Sequence, residues 1–221
     1  GRVACDPFEP LAHAAKTRGA DPCSIRDEGT GRTYTYGETS ARAAIVGAYL
    51  RTRVNLGARV GLLAPNSAAC IEAHYACAWA GCVALNLNPR LSPDELAYCL
   101  EGADCEIIIA DAAYSKLVTN ALAASKPLDV VWTSTTGADL PEDAVAYESV
   151  ADGEATPARP TDALEVPDDA GAEMYYTSGT SGRPKGVVLS RRTVVQHALG
   201  CMVEHRMHPC PRRASGEDCV S

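Results

Sequence analysis

Two patterns of hydrophobic and polar positions alternate along the chain. Short apolar runs with little polar alternation occupy residues 59–64, 82–87 and 106–110, and stretches with helical spacing separate them. Strands that are apolar on both faces and alternate with helices are typical of a parallel sheet covered on both sides. We therefore predict an α/β fold with a doubly wound, mostly parallel sheet flanked by helices.

Local signals place the ends of these elements. Thr35 with Glu38, and Ser92 with Glu95, have the spacing of capping boxes, and Pro93 suits a first helical position. Helices are predicted over 8–18, from Thr35 to about Val54, from a cap at Asn66 or Ser67 to near Ala80, from Ser92 onward, and over 111–125. Strands are predicted over 59–64, 82–87, 106–110 and 128–133, and two short β segments, 24–28 and 33–36, flank the turn 29–31. Residues 134–170, with four prolines among many acids, are expected to be a surface excursion.

The most apolar stretch, residues 69–88, has too many interruptions for a membrane span. Glu72 and His74 fall within it, and Gly81 breaks its helical pattern. A buried helix followed by a buried strand fits better, and we expect His74 to be a hydrogen-bonded core histidine. We predict no transmembrane segment.

Charge is unevenly distributed. The net charge is −8, and residues 134–173 carry eleven acids against Arg159, a balance of −10, which leaves +2 for the other residues. Such a run is usually a solvated face. No basic stripe with interleaved aromatic residues is present, so nucleic acid is not an expected partner.

The ten cysteines do not have the spacing of a zinc site or a disulfide framework. No CxxC pair occurs, and five cysteines fall inside apolar patterns, namely Cys70, Cys77, Cys82, Cys99 and Cys105. Buried thiols in a reducing compartment, cytoplasmic or organellar, are expected. His205 and His208 have metal-ligand spacing, but a polar helix face is favoured because no third ligand is evident.

Hydroxyls, glycines and a lysine are concentrated in residues 177–186. Thr177, Ser178, Thr180 and Ser181 supply hydroxyl donors, and Lys185 supplies a positive charge. Three glycines, Gly179, Gly182 and Gly186, allow positive φ and expose backbone N–H groups that bind anions. The order Pro-Lys-Gly does not fit a Walker A loop, and GxGxxG is absent. A plain surface hairpin is the alternative.

The segment 176–187, YTSGTSGRPKGV, closely resembles the phosphate-binding signature of the AMP-forming adenylating enzymes, the superfamily of acyl-CoA synthetases, adenylation domains and luciferases. Ser181 stands where threonine is usual, and Arg191 where histidine is frequent. Residues 33–36, 59–66 (RVGLLAPN), 80–84 and 86–98 (NLNPRLSPDELAY) look like earlier segments of the family, and the likeness covers about residues 8–208. The Asn-Pro-Arg-Leu segment leans toward acyl-CoA synthetases.

This resemblance implies the N-terminal portion of the large domain of an ATP-dependent carboxylic acid–CoA ligase. ATP, Mg²⁺ and coenzyme A would be the cofactor and co-substrates, and a small-molecule carboxylic acid the substrate. The ATP phosphates would be bound by Thr177, Ser178, Gly179, Thr180, Ser181, Gly182 and Lys185, and Thr177 would also contact Mg²⁺. An adenylation domain that loads a carrier protein and a non-catalytic truncated product stay open as alternatives.

The resemblance also sets expectations for the parts of the family that are missing here. Its adenine-binding, ribose-binding and catalytic-lysine segments lie beyond residue 221, so we expect no catalytic residue in this chain and no activity from it alone. Residues 1–208 are predicted to be a partial AMP-binding domain. We expect 209–221 to be an unmatched tail produced by truncation, mis-splicing or a frame shift, or a sign that the sequence is a fragment.

Overall fold

The computed structural model describes residues 5–21, 25–153, 157–177 and 183–204. The helices in these ranges are α1 (Glu9–Arg18), α2 (Tyr36–Arg51), α3 (Ala68–Ala80), α4 (Pro93–Gly102), a 3-10 turn (Ala112–Tyr114), α5 (Ser115–Ala123), α6 (Tyr147–Ala151), α7 (Thr161–Leu164) and α8 (Arg191–Glu204). The strands are β1 (Ile25–Arg26), β2 (Thr33–Tyr34), β3 (Arg59–Leu63), β4 (Val83–Asn86), β5 (Cys105–Asp111), β6 (Asp129–Thr133), β7 (Val145–Ala146), β8 (Gly171–Thr177) and β9 (Lys185–Ser190).

Seven of the described strands form one sheet in the order β7-β6-β5-β3-β4-β8-β9, and β1 and β2 form a separate hairpin. Every neighbouring pair in the large sheet is parallel except β8 and β9, which are antiparallel. The chain crosses from β3 to β4 through α3, and then back to β5 and β6 through α4 and α5. Because parallel crossovers are right-handed as a rule, this reversal of direction puts α3 on one face of the sheet and α4 and α5 on the other. One core cluster accordingly contains residues of α1, α2 and α3, and the other contains residues of α4 and α5. The predicted doubly wound, mostly parallel sheet is confirmed.

Side-chain caps begin the helices where the sequence predicts them. Both capping boxes form: Glu38 N donates to Thr35 Oγ1 at 3.1 Å, and Glu95 N donates to Ser92 Oγ at 3.3 Å. Ser67, and not Asn66, caps α3 by accepting a hydrogen bond from Cys70 N. Gly81 ends α3 in the left-handed region, with φ of 72°.

The buried cysteines behave as small apolar side chains. Cys77, Cys82, Cys99 and Cys105 are buried, Cys70 is half-buried, and every cysteine of the described ranges is a free thiol. Burial raises the pKa of Cys82 to about 12 and the pKa of Cys99 to about 11. These thiols therefore stay protonated and unreactive at neutral pH.

The acidic stretch 134–170 is not a simple surface excursion, and that prediction was wrong. It adds β7 to the sheet edge and folds into α6 and α7, and Tyr147 and Ala163 have no exposed surface. The Tyr147 hydroxyl donates to Glu72 Oε2 at 3.2 Å, beneath α6. The sequence pattern concealed this element because Glu148 and Asp152 resemble solvated charges, whereas both pair with the buried Arg42, more than 100 residues earlier in the chain.

None of the helices in the described ranges is long and apolar enough to cross a membrane. The stretch 69–88 forms most of α3 and all of β4, as predicted.

Candidate functional site

The hairpin of β8 and β9 brings together the two ends of the predicted loop. Thr177, the last residue of β8, lies directly opposite Lys185, the first residue of β9. Paired residues of an antiparallel ladder point to the same face, with Cβ atoms roughly 5 Å apart. The Thr177 hydroxyl and the Lys185 side chain are therefore neighbours. The other predicted ligands lie outside the described residues, namely Ser178, Gly179, Thr180, Ser181 and Gly182.

The pair stands at the carboxyl edge of the parallel sheet. Strand β8 runs parallel to β4, with Tyr175 in register with Asn86, so both strands end at the same edge. A groove of about 690 Å³ opens there, lined by Asn86, Leu87, Asn88, Leu91, Glu95, Cys99, Tyr175, Tyr176, Thr177 and Pro184. Open α/β sheets bind ligands in the crevice outside the carboxyl ends of their strands. The location therefore suits a ligand site.

The charges at this edge favour an anion. Lys185 is exposed, and in the described part of the chain no carboxylate forms an ion pair with it. The acid of the groove, Glu95, is already engaged, because its carboxylate accepts from the backbone N and the hydroxyl of Ser92 at 2.8 and 2.9 Å. These hydrogen bonds hold the pKa of Glu95 below its usual value. Lys185 thus presents a charge that no neighbouring described acid neutralises.

Gly186 does not have the positive φ expected of it. It lies in extended β9, and a Cβ at this position would lie 2.3 Å from Met174 Cε and 3.4 Å from the Tyr176 ring. The glycine lets two side chains of β8 pack over its backbone, and a Cβ there would have to displace the end of the Met174 side chain. The interpretation of Gly186 as part of an anion-binding turn is corrected accordingly.

The side of α4 that faces the hairpin is not among the predicted parts of the site. Glu95 and Cys99 line the groove, and Tyr98 contacts both stems of the loop. Their spacing, with Gly102 one turn further on, is that of a single helical face. Helical periodicity could have identified this face, but no local signal indicates what it packs against.

Ion pairs also hold the end of the hairpin opposite the loop, where β9 leads into α8. Arg191, the first residue of α8, is almost fully buried, and its Nη2 lies 2.9 Å from Asp6 Oδ1. Asp6 is also paired with Arg159, whose Nε donates to the carbonyl of Trp79 at 2.8 Å. These contacts join the N-terminal segment to the end of β9.

His74 is a satisfied structural residue, as predicted. Its Nδ1 lies 2.8 Å from the carbonyl oxygen of Cys70, and its Nε2 lies 2.8 Å from Asn86 Oδ1. Burial opposes the charged ring, but the side chain and carbonyl of Cys70, together with Asn86, outweigh burial and raise the pKa of His74 to about 9. The contact fixes Asn86 on the groove wall. Of the later histidines, His205 and His208 lie outside the described residues.

Comparison with known proteins identifies the family. The model of the AMP-binding enzyme family matches residues 11–219. The chain is 37% identical over 166 residues to a long-chain-fatty-acid–CoA ligase of Thermus thermophilus, covering 75% of this chain and 29% of that protein. It is 32% identical over 203 residues to a 3-methylmercaptopropionyl-CoA ligase of Ruegeria lacuscaerulensis, covering 86% of this chain and 36% of that protein.

The fold is similar to that of a solved ligase. A putative long-chain-fatty-acid CoA ligase from Rhodopseudomonas palustris superposes with a TM-score of 0.76 at 22% identity, over 90% of this chain and 48% of that one. The chain therefore spans about a third of the length of these two relatives and half of that solved structure. The predicted boundary at residue 208 stays a prediction, since the described residues end at 204 and the family match reaches 219. This chain belongs to the AMP-binding enzyme family.

Proposed function

We propose that this chain is the N-terminal part of an ATP-dependent, AMP-forming carboxylic acid–CoA ligase, and that residues 177–185 bind the β- and γ-phosphates of ATP. The observation that carries the proposal is the Thr177–Lys185 pair at the carboxyl edge of the sheet. It supports a site in which a hydroxyl and an ammonium group that no acid of the described residues neutralises flank a segment rich in Ser, Thr and Gly. Such a set of donors suits a polyphosphate.

The proposed reaction has two steps. A carboxylate oxygen of the acid attacks the α-phosphorus of ATP, and the bond from that phosphorus to the bridging oxygen breaks, so pyrophosphate leaves and an acyl-adenylate forms. The sulfur of coenzyme A then attacks the acyl carbonyl, AMP leaves, and the thiol proton passes to solvent. Lys185 and the hydroxyls of the loop would stabilise the charge that accumulates on the leaving pyrophosphate. This adenylation step requires no protein nucleophile.

Mg²⁺ would enter with the nucleotide. It prefers oxygen ligands and is commonly held by substrate phosphates with few protein ligands. Thr177 offers one neutral hydroxyl beside Lys185, which suits a phosphate-bound ion better than an ion held by protein side chains alone. When bound, the ion would supply further charge neutralisation to the leaving group.

Two other functions stay as alternatives, a domain that loads a carrier protein and a non-catalytic product. The names of the two ligases compared above support coenzyme A as the acceptor. They do not select an acid, because one names a long-chain fatty acid and the other 3-methylmercaptopropionate. Assays with coenzyme A and with a carrier protein as acceptor distinguish the proposed ligase from a domain that loads a carrier protein.

Carboxylate-dependent exchange of labelled pyrophosphate into ATP tests the proposal in the whole gene product. Lys185→Ala should lower the exchange rate by about 10²-fold, the usual effect of removing one charge-stabilising donor. Lys116→Ala is the matched control, since Lys116 is also exposed but follows β5, which β3 and β4 separate from β8. Equal exchange in Lys185→Ala and the control, or no exchange with any acid tested, would overturn the proposal. The 221-residue chain by itself is expected to show no exchange.

A further inference from the structure

We propose that Tyr98 is a positioning residue for the phosphate loop, because it anchors the segment by which the loop returns to the sheet. The inference rests on the proposed function, in which residues 177–185 bind the phosphates of ATP. Tyr98 itself would not contact the nucleotide. It would act through Arg183 and Pro184, which immediately precede Lys185.

Tyr98 contacts both stems of the loop. Its hydroxyl donates to the carbonyl oxygen of Pro184 at 3.3 Å, and the Arg183 guanidinium lies 5.5 Å from its ring centroid. Its ring also packs edge-on against that of Tyr176, with centroids 6.2 Å apart and an interplanar angle of 69°. One side chain therefore links the strand that enters the loop to the segment that leaves it.

The Pro184 carbonyl belongs to the peptide group that joins Pro184 to Lys185. A hydrogen bond to that oxygen restrains the plane of the peptide, and with it the direction in which β9 begins. Lys185 is then held opposite Thr177, in the register that places both side chains on one face. The effect of Tyr98 on the proposed site thus passes through the backbone.

The support behind Tyr98 is rigid. Helix α4 begins with a capping box and Pro93, and its inner face buries Leu96, Cys99 and Leu100. Gly102 lets the helix approach β8 closely, because a Cβ there would lie 2.6 Å from the Tyr176 hydroxyl. Tyr98 itself is 36% exposed, so it adds little to the core. Its contacts with the loop stems are therefore the main interactions that its side chain makes.

Two variants separate the interactions of Tyr98. Tyr98→Phe removes the hydrogen bond to Pro184 and keeps the ring, whereas Tyr98→Ala also removes the contacts with Arg183 and Tyr176. Tyr114→Phe is the control, because Tyr114 is a half-buried tyrosine packed against the same core cluster but located after β5. All variants are made in the whole gene product.

Two measurements give the outcome. Without ligand, hydrogen exchange of the peptide spanning 178–188 should be faster in Tyr98→Phe and faster still in Tyr98→Ala. The KM for Mg-ATP should rise about twofold to tenfold in Tyr98→Phe, as expected for one net hydrogen bond, with a small change in kcat and none in the KM for the acid. The control should match the wild type in both measurements.

Each remaining outcome overturns one proposal only. If hydrogen exchange is unchanged in both Tyr98 variants, Tyr98 does not anchor the loop. If exchange rises but the KM for Mg-ATP does not, Tyr98 has only a structural role and the positioning proposal is wrong. If Lys185→Ala uses ATP as well as the wild type, the proposed function fails, while hydrogen exchange still decides whether Tyr98 anchors the loop.

Discussion

The centre of the sheet and the β8–β9 hairpin differ in how completely they are covered. Ile107 and Ile108 of β5 have no exposed surface, whereas Val187 and Val188 of β9 are 42% and 51% exposed. The central strands have helices on both faces, whereas within the described residues the hairpin contacts β4, α8 and one side of α4. The free energy of folding is therefore concentrated in the centre, and the candidate chemistry lies at the less covered edge.

The two regions also treat their cations differently. In the core, Arg42 Nε donates to Glu72 Oε1 at 2.8 Å, and Glu148 and Asp152 bind the rest of the guanidinium. At the hairpin, no described acid pairs with Lys185. A buried cation must be neutralised within the protein, whereas an exposed one is available to an external anion.

The largest expected effect breaks the core pair. Glu72→Gln leaves the Arg42 guanidinium buried with less compensation and should lower the free energy of unfolding by about 3–5 kcal/mol. Asp129→Asn is the control, since its pair with Arg53 is exposed, and it should change the free energy by less than about 1 kcal/mol. Urea unfolding measures both. A loss of similar size in the two variants would show that burial does not distinguish these pairs.

The second prediction concerns pH and the contact between α3 and the groove. The pKa of His74 is raised to about 9 from its usual value of 6.5. The charged ring therefore contributes stability that is fully present below pH 6.5 and is lost as the pH rises through about 9, and its size is about 3 kcal/mol. His74→Gln should remove this part of the pH dependence between pH 6 and 10. Melting temperatures measured across this pH range test the prediction. If they change with pH equally in the variant and the wild type, His74 is not the source of this pH dependence.

A matched pair of substitutions tests the comparison most simply and has the smallest effect. Val60 of β3 has no exposed surface and Val188 of β9 is half exposed. Val60→Thr buries a hydroxyl and should cost about 1–3 kcal/mol, whereas Val188→Thr should change stability by less than about 0.5 kcal/mol. Chemical denaturation measures the two values. Equal costs would mean that β9 is as well covered as the sheet centre.

The elements that could be predicted are those with a local signal. The capping boxes at Thr35 and Ser92, the end of α3 at Gly81 and the apolar run of β5 are each determined by a few adjacent residues. The Arg42 network could not be predicted in this way, because its acids lie 30 to 110 residues away along the chain. Helix α6 was missed for the same reason, since Tyr147 is buried by a distant partner.

The candidate site was predictable in part. The motif placed Thr177 and Lys185 at the two ends of one loop, and hairpin pairing sets them opposite each other. The role of Tyr98 was not predictable, because its contact with Pro184 joins residues 86 positions apart. Gly186 was misinterpreted because the sequence shows a glycine but not whether its φ or its packing matters.

The four lysines of this chain allow the most direct test of the central claim. Lys16, Lys116, Lys126 and Lys185 can be labelled together in the whole gene product with an amine-reactive reagent, and mass spectrometry gives the rate at each. Saturating Mg-ATP should slow the labelling of Lys185 at least severalfold and leave the other three unchanged, because only Lys185 would bind phosphate. Labelling of Lys185 at the same rate with and without Mg-ATP would contradict the account.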